Sequence, residues 1–398
     1  MVDQIDRAAA LFRLLLLMLV ASFALLPEEL QRNWLLYLTA SVGLMQLLDP
    51  AHRRRLRHHR PGIGLLAILA LPVLSLLWAS AGADPVDSSD AIKDALVAAL
   101  CIVGVYVGLA HHESRHPGFE RRLFHGLVIT ALTASWIALA IWWFTLRADA
   151  PRPRFEGAWT FINPVHASIF VTSVGVLSIK WWLDGSDRGG LVALATNLTA
   201  LVLLSVAGAR TAAAAYVVIF AGLILTHRPR LALPIAAAVA VIVAAAVGVV
   251  GLDDLESIWL SRGLSFRLEI WQQVIDQTRD CSVFVGCGLT TPLFIDTGLE
   301  QGERAHSIYL ALFYHQGLIG LVVNLLALGL VLRHGLQRGK TPWLGMVGCG
   351  LLANLTSGDH LLVRAELFWM YFWLPLLVIA GSSQPLPHSS GNAPRKPA

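Results

Sequence analysis

The run Leu123-Phe124-His125-Gly126-Leu127-Val128-Ile129-Thr130-Ala131-Leu132 opens a stretch that reaches Thr145 without one Asp, Glu, Lys or Arg. Its length decides the fold. A helix rises ~1.5 Å per residue and the hydrocarbon core of a bilayer is ~30 Å thick, so about 20 apolar residues cross it. Apolar runs recur near 9–26, 34–49, 63–81, 92–110, 165–183, 190–208, 211–226, 231–250, 307–332, 343–357 and 367–382. Backbone groups in hydrocarbon must be satisfied within the protein, and long continuous runs select helices over the short alternating strands of a barrel. The expectation is an all-α polytopic membrane protein of about 12 transmembrane helices.

Composition agrees. The 398 residues are 56% hydrophobic and 14% charged, with mean hydropathy +0.64, whereas soluble domains carry roughly 25% charged residues. That deficit leaves no room for a sizeable soluble domain. The expected division is transmembrane helices 1–9 over residues 1–251, a large loop with an amphipathic helix over 252–306, helices 10–12 over 307–382, and a disordered tail over 383–398. The first run follows a short polar start with Arg7 and mimics a signal peptide, but its length and the spans after it favour a retained first helix.

Four Cys are present. Cys101 and Cys349 fall inside apolar runs, as packing residues do. Cys281 and Cys287 lie close together in a polar segment and can pair if that segment meets an oxidising compartment. No CxxC or Cys/His ligand spacing occurs, so no structural metal is expected.

Lys and Arg set the orientation. The basic segments Arg53–Arg60, Arg115 with Arg121 and Arg122, Arg228-Pro229-Arg230, and Arg333–Lys340 all join spans of the same parity. Opposite-parity loops include Pro27-Glu28-Glu29 and Asp84-Pro85-Val86-Asp87. Both termini are therefore expected in the cytoplasm, and topology rather than nucleic-acid binding accounts for the basic clusters. Candidate chemistry collects on the outer side. There lie a loop at 146–164 with Arg152, Arg154 and Trp159, a tight turn at Gly208-Ala209-Arg210, the long loop, and a turn with Asp359, His360 and Arg364. A loop as long as 252–306 is itself a pointer to function. Thirteen Trp suit both interfacial belts and sugar contacts.

Arg210 reads either as a side chain snorkelling from a helix end or as an anion ligand. Guanidinium suits phosphate because its planar fork gives bidentate, charge-assisted hydrogen bonds. Ser261–Arg279 reads as an amphipathic helix, with Leu264, Leu268, Trp271 and Ile275 on one stripe, widened by Ile270 and Val274. Glu269, Gln272, Gln273 and Asp276 take the opposite face. Arg267 falls inside the apolar arc and needs a partner, either an acid elsewhere or a bound anion. His306 stands just before a span, where a helix N-terminus favours neutral imidazole. It is either a polar anchor or a general base. The helices after Arg210 and His306 both run inward from the outer side, so their first amides converge, and such ends favour phosphate. Two arginines, these helix ends and a neutral imidazole suit glycosyl transfer from a lipid pyrophosphate. Asp253, Asp254 and Glu256 read as a solvated loop start, and Asp359, His360 and Arg364 as rim helpers or a polar network.

The segment His306-Ser307, nine residues, Gly317, two residues, Gly320 resembles the signature of the O-antigen ligase family: His, then Asn/Ser/Gln, nine residues, Gly, two residues, and Gly/Thr/Tyr. Ser265-Phe266-Arg267-Leu268-Glu269-Ile270-Trp271 with Val285-Gly286-Cys287-Gly288 resembles that family's Arg-bearing loop helix and Gly-X-Gly turn. Gly208-Ala209-Arg210-Thr211 resembles its short outer turn. The family often has His-Asn where this chain has His-Ser. It often has Asn-Pro-Asn where this chain has Asn163-Pro164-Val165, so no role passes to Val165.

The resemblance implies lipopolysaccharide assembly at the bacterial inner membrane with a periplasmic site, without cofactors. The donor would be an undecaprenyl-pyrophosphate-linked glycan and the acceptor a sugar hydroxyl of lipid A–core, both embedded among membrane lipids. Arg210 and Arg267 would hold the pyrophosphate and His306 would activate the acceptor. Arg154, Trp159, Trp271, Asp359, His360 and Arg364 are candidate substrate contacts. An O-antigen polymerase or a protein O-oligosaccharyltransferase shares this clamp and differs in acceptor. A transporter of lipid-linked glycan is the rival from another class. Such proteins show inverted repeats or broken helices, and neither is evident in the sequence.

Overall fold

The computed structural model describes residues 2–26, 28–57, 59–79, 85–113, 118–146, 155, 159–183, 189–230, 266–296, 301–302, 304–358, 361–362 and 366–382. The expected span 231–250, the tail 383–398 and the residues Arg154, Asp253, Asp254, Glu256, Asp359, His360 and Arg364 lie outside them.

The chain is an all-α, polytopic membrane protein. Among the described residues, eight helices are long and apolar enough to cross a bilayer: Ile5–Leu25, Arg60–Leu77, Ser89–His112, Phe119–Thr145, Pro164–Leu183, Gly189–Ala207, Arg210–His227 and Ile308–Gln337. Shorter apolar helices follow at Thr341–Ala353 and Trp369–Gly381. In chain order the helices are α1 (Val2–Leu25), α2 (Glu29–Met45), α3 (Pro50–Arg57), α4 (Arg60–Leu74), α5 (Pro85–Glu113), α6 (Phe119–Ile141), α7 (Pro164–Leu183), α8 (Gly189–Ala207) and α9 (Arg210–His227). Then come α10 (Arg267–Cys281), a two-stranded hairpin of β1 (Ile295–Asp296) and β2 (Gln301–Gly302), α11 (Ile308–Gln337), α12 (Thr341–Ala353) and α13 (Leu374–Gly381).

Hydrocarbon offers no hydrophobic force between helices, so close backbone approach and polar contacts must hold the bundle. At Gly43 on α2 an added Cβ would lie 2.0 Å from the Gly104 carbonyl oxygen of α5, so only a missing side chain permits the crossing. Across α7, α8 and α9, Tyr216 donates to Asn197, which donates to the Ala193 carbonyl, while Ser178 and Thr196 hydroxyls meet at 2.7 Å. At the end carrying α3, Lys340 at the head of α12 lies 2.5 Å from Glu120 of α6, whose other oxygen accepts from the Trp343 indole.

The helix after His306 departs from the sequence reading. α11 is broken at Gly317, where φ is 63° and ψ −168°, roughly 14 Å in from its start at 1.5 Å per residue. The break opens the bonds that Leu318 and Ile319 N–H would make to the Tyr314 and His315 carbonyls. Segment 283–288 supplies all four partners. Cys287 N–H donates to Tyr314 O at 2.7 Å and Gly288 N–H to His315 O at 3.0 Å. Leu318 and Ile319 N–H donate to Val283 O and Phe284 O at 2.8 and 3.1 Å. Non-helical backbone at this depth survives only when buried in protein with its polar groups paired, and the splice meets that condition. The chain's own backbone fills the gap, unlike the ion-coordinating breaks of transporters.

Candidate active site

Arg267 is the first residue of α10, and the residue before it, Phe266, sits in the left-handed region at φ 55°. The face of α10 turned inward is Ile270, Val274 and Thr278, rotated from the stripe the sequence suggested, and Leu268 is 57% exposed. Arg267 still falls on the inward side, because the buried line i, i+4, i+8 runs back to it within about 20° at 100° per residue. Its guanidinium is half-buried, and burial followed by the nearby positive charge of Arg210 lowers its pKa below the ordinary arginine value. The Arg267 side chain makes no ion pair or hydrogen bond with any described residue. The acid partner that a structural reading requires is therefore missing among the described residues, and the charge that acts on Arg267 is a second cation, Arg210.

Arg210 opens α9 after Gly208, whose φ is 60°. Neither α9 nor α10 has a side-chain cap at its start, so two helix N-termini present their first amides beside two guanidinium groups. α11 differs. Ser307 caps it by accepting from Leu310 N–H at 3.5 Å. Since Ser and Asn are equally good caps, the His-Ser variant of the signature keeps this function.

One turn connects these elements. Ile308 N–H donates to Asn354 O at 3.2 Å, and the Thr356 hydroxyl meets that of Thr211 at 2.6 Å. The end of α12 thus ties the start of α11, beside His306, to the start of α9, beside Arg210. Three non-glycine residues have positive φ among the described residues: Trp159 at 57°, Phe266 at 55° and His306 at 50°. Each costs strain, and such outliers cluster where function requires a fixed direction. Phe266 aims Arg267, and His306 is itself the candidate base.

The splice explains why motifs so far apart in sequence belong together. A Cβ on Gly317 would lie 2.3 Å from the Phe284 carbonyl, and one on Gly286 would lie 2.5 Å from Gly317 N and Tyr314 O. Gly286-Cys287-Gly288 and Gly317 are two halves of one joint that fixes the Arg267 helix against the His306 helix. The disulfide Cys281–Cys287, left open by the sequence, is formed and ties the end of α10 to this joint. Trp78 adds an indole bond to Val285 O at 2.8 Å.

Sequence reasoning put Gln273 on the solvent face and gave Gln277 no part. In the structure both hold the hairpin. Gln273 exchanges two bonds with Asp296 (2.7 and 3.0 Å), and Gln277 two with Phe294 (2.5 and 3.2 Å). A pair of Gln at i, i+4 was the available signal. Trp159 spends its indole N–H on Ala24 O at 2.9 Å and packs against the core, which anchors the loop before α7. Trp271 is half-buried, with its indole nitrogen buried and without a hydrogen-bond partner, four residues from Arg267. Asn163 caps α7 through Val165 and His166 N–H, with Pro164 at the first helical position, so Asn-Pro here is a helix start.

Comparison with known proteins follows the same residues. The O-antigen ligase domain matches residues 192–325, a span that contains Arg210, Arg267, His306 and the Gly317 break. An O-antigen ligase of Pseudomonas aeruginosa is 25% identical over 364 residues, covering 88% of this chain and 85% of that protein. With the matched motifs meeting at one joint inside the matched domain, and the relative extending the likeness along most of the chain, the chain is similar to the O-antigen ligases.

Proposed function

We propose that the chain is an O-antigen ligase, a glycosyltransferase that moves a polysaccharide from undecaprenyl pyrophosphate to a sugar hydroxyl of lipid A–core. The observation that carries this reading is the environment of Arg267: a half-buried cation that feels the like charge of Arg210. A diphosphate lying against both guanidinium groups would offset their mutual repulsion. The uncapped starts of α9 and α10 add amide donors on the same side.

The chemistry follows. The acceptor hydroxyl attacks the anomeric carbon while His306 takes its proton. The bond from that carbon to the pyrophosphate oxygen breaks, and the electron pair leaves with the pyrophosphate. Arg210 and Arg267 stabilise the charge that develops there, an electrostatic task that needs fixed donors aimed at the leaving oxygens. A single displacement inverts the anomeric carbon. The distribution of Lys and Arg among the loops supports both termini in the cytoplasm and this site in the periplasm of a bacterial inner-membrane protein.

The test is complementation of a ligase-deletion strain. His306→Ala and Arg267→Ala should insert normally and yield no polymer on lipid A–core. Full-length banded lipopolysaccharide from either variant would overturn the assignment. A polymerase or a protein-directed transferase would instead show altered glycan chain length, or a glycosylated polypeptide, with lipid A–core attachment unchanged.

A further inference from the structure

Beside the joint lies a cavity of about 240 Å³. It holds about eight waters' worth of space at ~30 Å³ each, which suits one sugar ring better than a whole ligand. Its polar walls are Asp94 of α5 and His315 and Gln316 of α11, and Ala91, Ala95 and Ala311 leave the room. His315 is 8% and Gln316 4% exposed. The His315 ring is fixed, because Nδ1 lies 2.9 Å from Gly288 O and a carbonyl only accepts, so Nδ1 carries the proton. Asp94 sits inside the apolar helix Ser89–His112. It lies within the first two turns of that helix and is partly buried, so its carboxylate faces the cavity close to the helix end. Carboxylate, imidazole and amide around an otherwise aliphatic chamber form a set that hydrogen-bonds ring hydroxyls.

Position selects the occupant. The cavity wall on α11 runs through Ile308, Leu312 and His315, starting two residues from His306. The Arg267 helix covers another face, through Leu310 and Tyr314, roughly 150° round the helix, with Ala311 bordering both. The cavity wall thus lies on a part of α11 turned away from the main contact with the Arg267 helix. Direct displacement needs the nucleophile and the leaving group on different sides of the reacting carbon.

We infer that this cavity seats the ring of the acceptor sugar, with Asp94, His315 and Gln316 reading its hydroxyls. The inference rests on the ligase reading above. The experiment uses full-length protein with purified lipid A–core and lipid-linked donor. Ala95→Leu, which fills the cavity, and Asp94→Asn should each raise KM for the acceptor by about tenfold with KM for the donor and the unfolding midpoint unchanged. In Ala91→Cys, maleimide labelling should be slowed by lipid A–core and not by inorganic pyrophosphate. An acceptor KM within about twofold of the parent protein in both variants, or protection by pyrophosphate instead, overturns the inference. If Arg267→Ala transfers normally in the same assay, the ligase reading itself has failed.

Discussion

Lys340 and Arg267 are both cations tucked against helices, at opposite ends of the bundle. Lys340 has Glu120 at 2.5 Å, and the remaining oxygen of that carboxylate takes the Trp343 indole. Arg267 has Arg210 as its charged neighbour and no described carboxylate. The first charge is balanced by the fold, so its worth appears in stability. On the proposed function the second is matched by the bound diphosphate, so its worth should appear in binding and rate.

That contrast can be broken most directly at Arg267. Arg267→Ala should lower kcat/KM by on the order of 10²–10³, the usual cost of one donor to a developing anion, with the unfolding midpoint unchanged or raised because like charges are relieved. A transition that drops as far as a core variant's would make Arg267 structural. Gly317→Ala comes next. The new Cβ meets the Phe284 carbonyl and φ stays positive, so the joint should lose about 1–3 kcal/mol from strain alone, and transfer should fall with it. A variant of parental stability and rate would mean that the splice does not hold the site.

Adding pyrophosphate sharpens the contrast from the ligand side. At 100 times its Kd it should stabilise the parent protein by about 2.7 kcal/mol and Arg267→Ala by less, read as a shift in thermal unfolding. Equal shifts would place the anion elsewhere. Lys340→Ala should do the reverse of Arg267→Ala. It should cost about 1–2 kcal/mol of stability, between the exposed and buried limits for an ion pair, with KM for the donor unchanged. The smallest effect belongs to the cap. Ser307→Ala should cost about 1 kcal/mol and a modest part of the rate by loosening His306, and Ser307→Asn should restore both.

The sequence was most legible where the solvent sets the rule. Span positions read from apolar runs match the described helices within a few residues: the run 165–183 is α7 and the run 211–226 lies within α9. Arg267 on the inward side of its helix was legible too, because a 100° step fixes which residues share a face. The exact buried line was not. Leu268 looks as apolar as Ile270, and only the hairpin and α11 decide that Ile270, Val274 and Thr278 turn inward. The break in α11 was invisible for a related reason. A lone glycine in an apolar run reads as a packing residue, and nothing local shows that segment 283–288 waits to replace its missing bonds. Gln273 looked solvated for want of a visible partner, the backbone of Asp296.

By itself, then, the order of residues determined the helices, because a run of apolar side chains in hydrocarbon has one way to satisfy its backbone. It also supplied the charged and polar groups suited to a diphosphate. Tertiary structure alone decided how the elements that carry these groups are joined. Two stretches of backbone, each with unsatisfied hydrogen bonds, complete one another at Gly317, and that exchange sets the guanidinium helix against the imidazole helix.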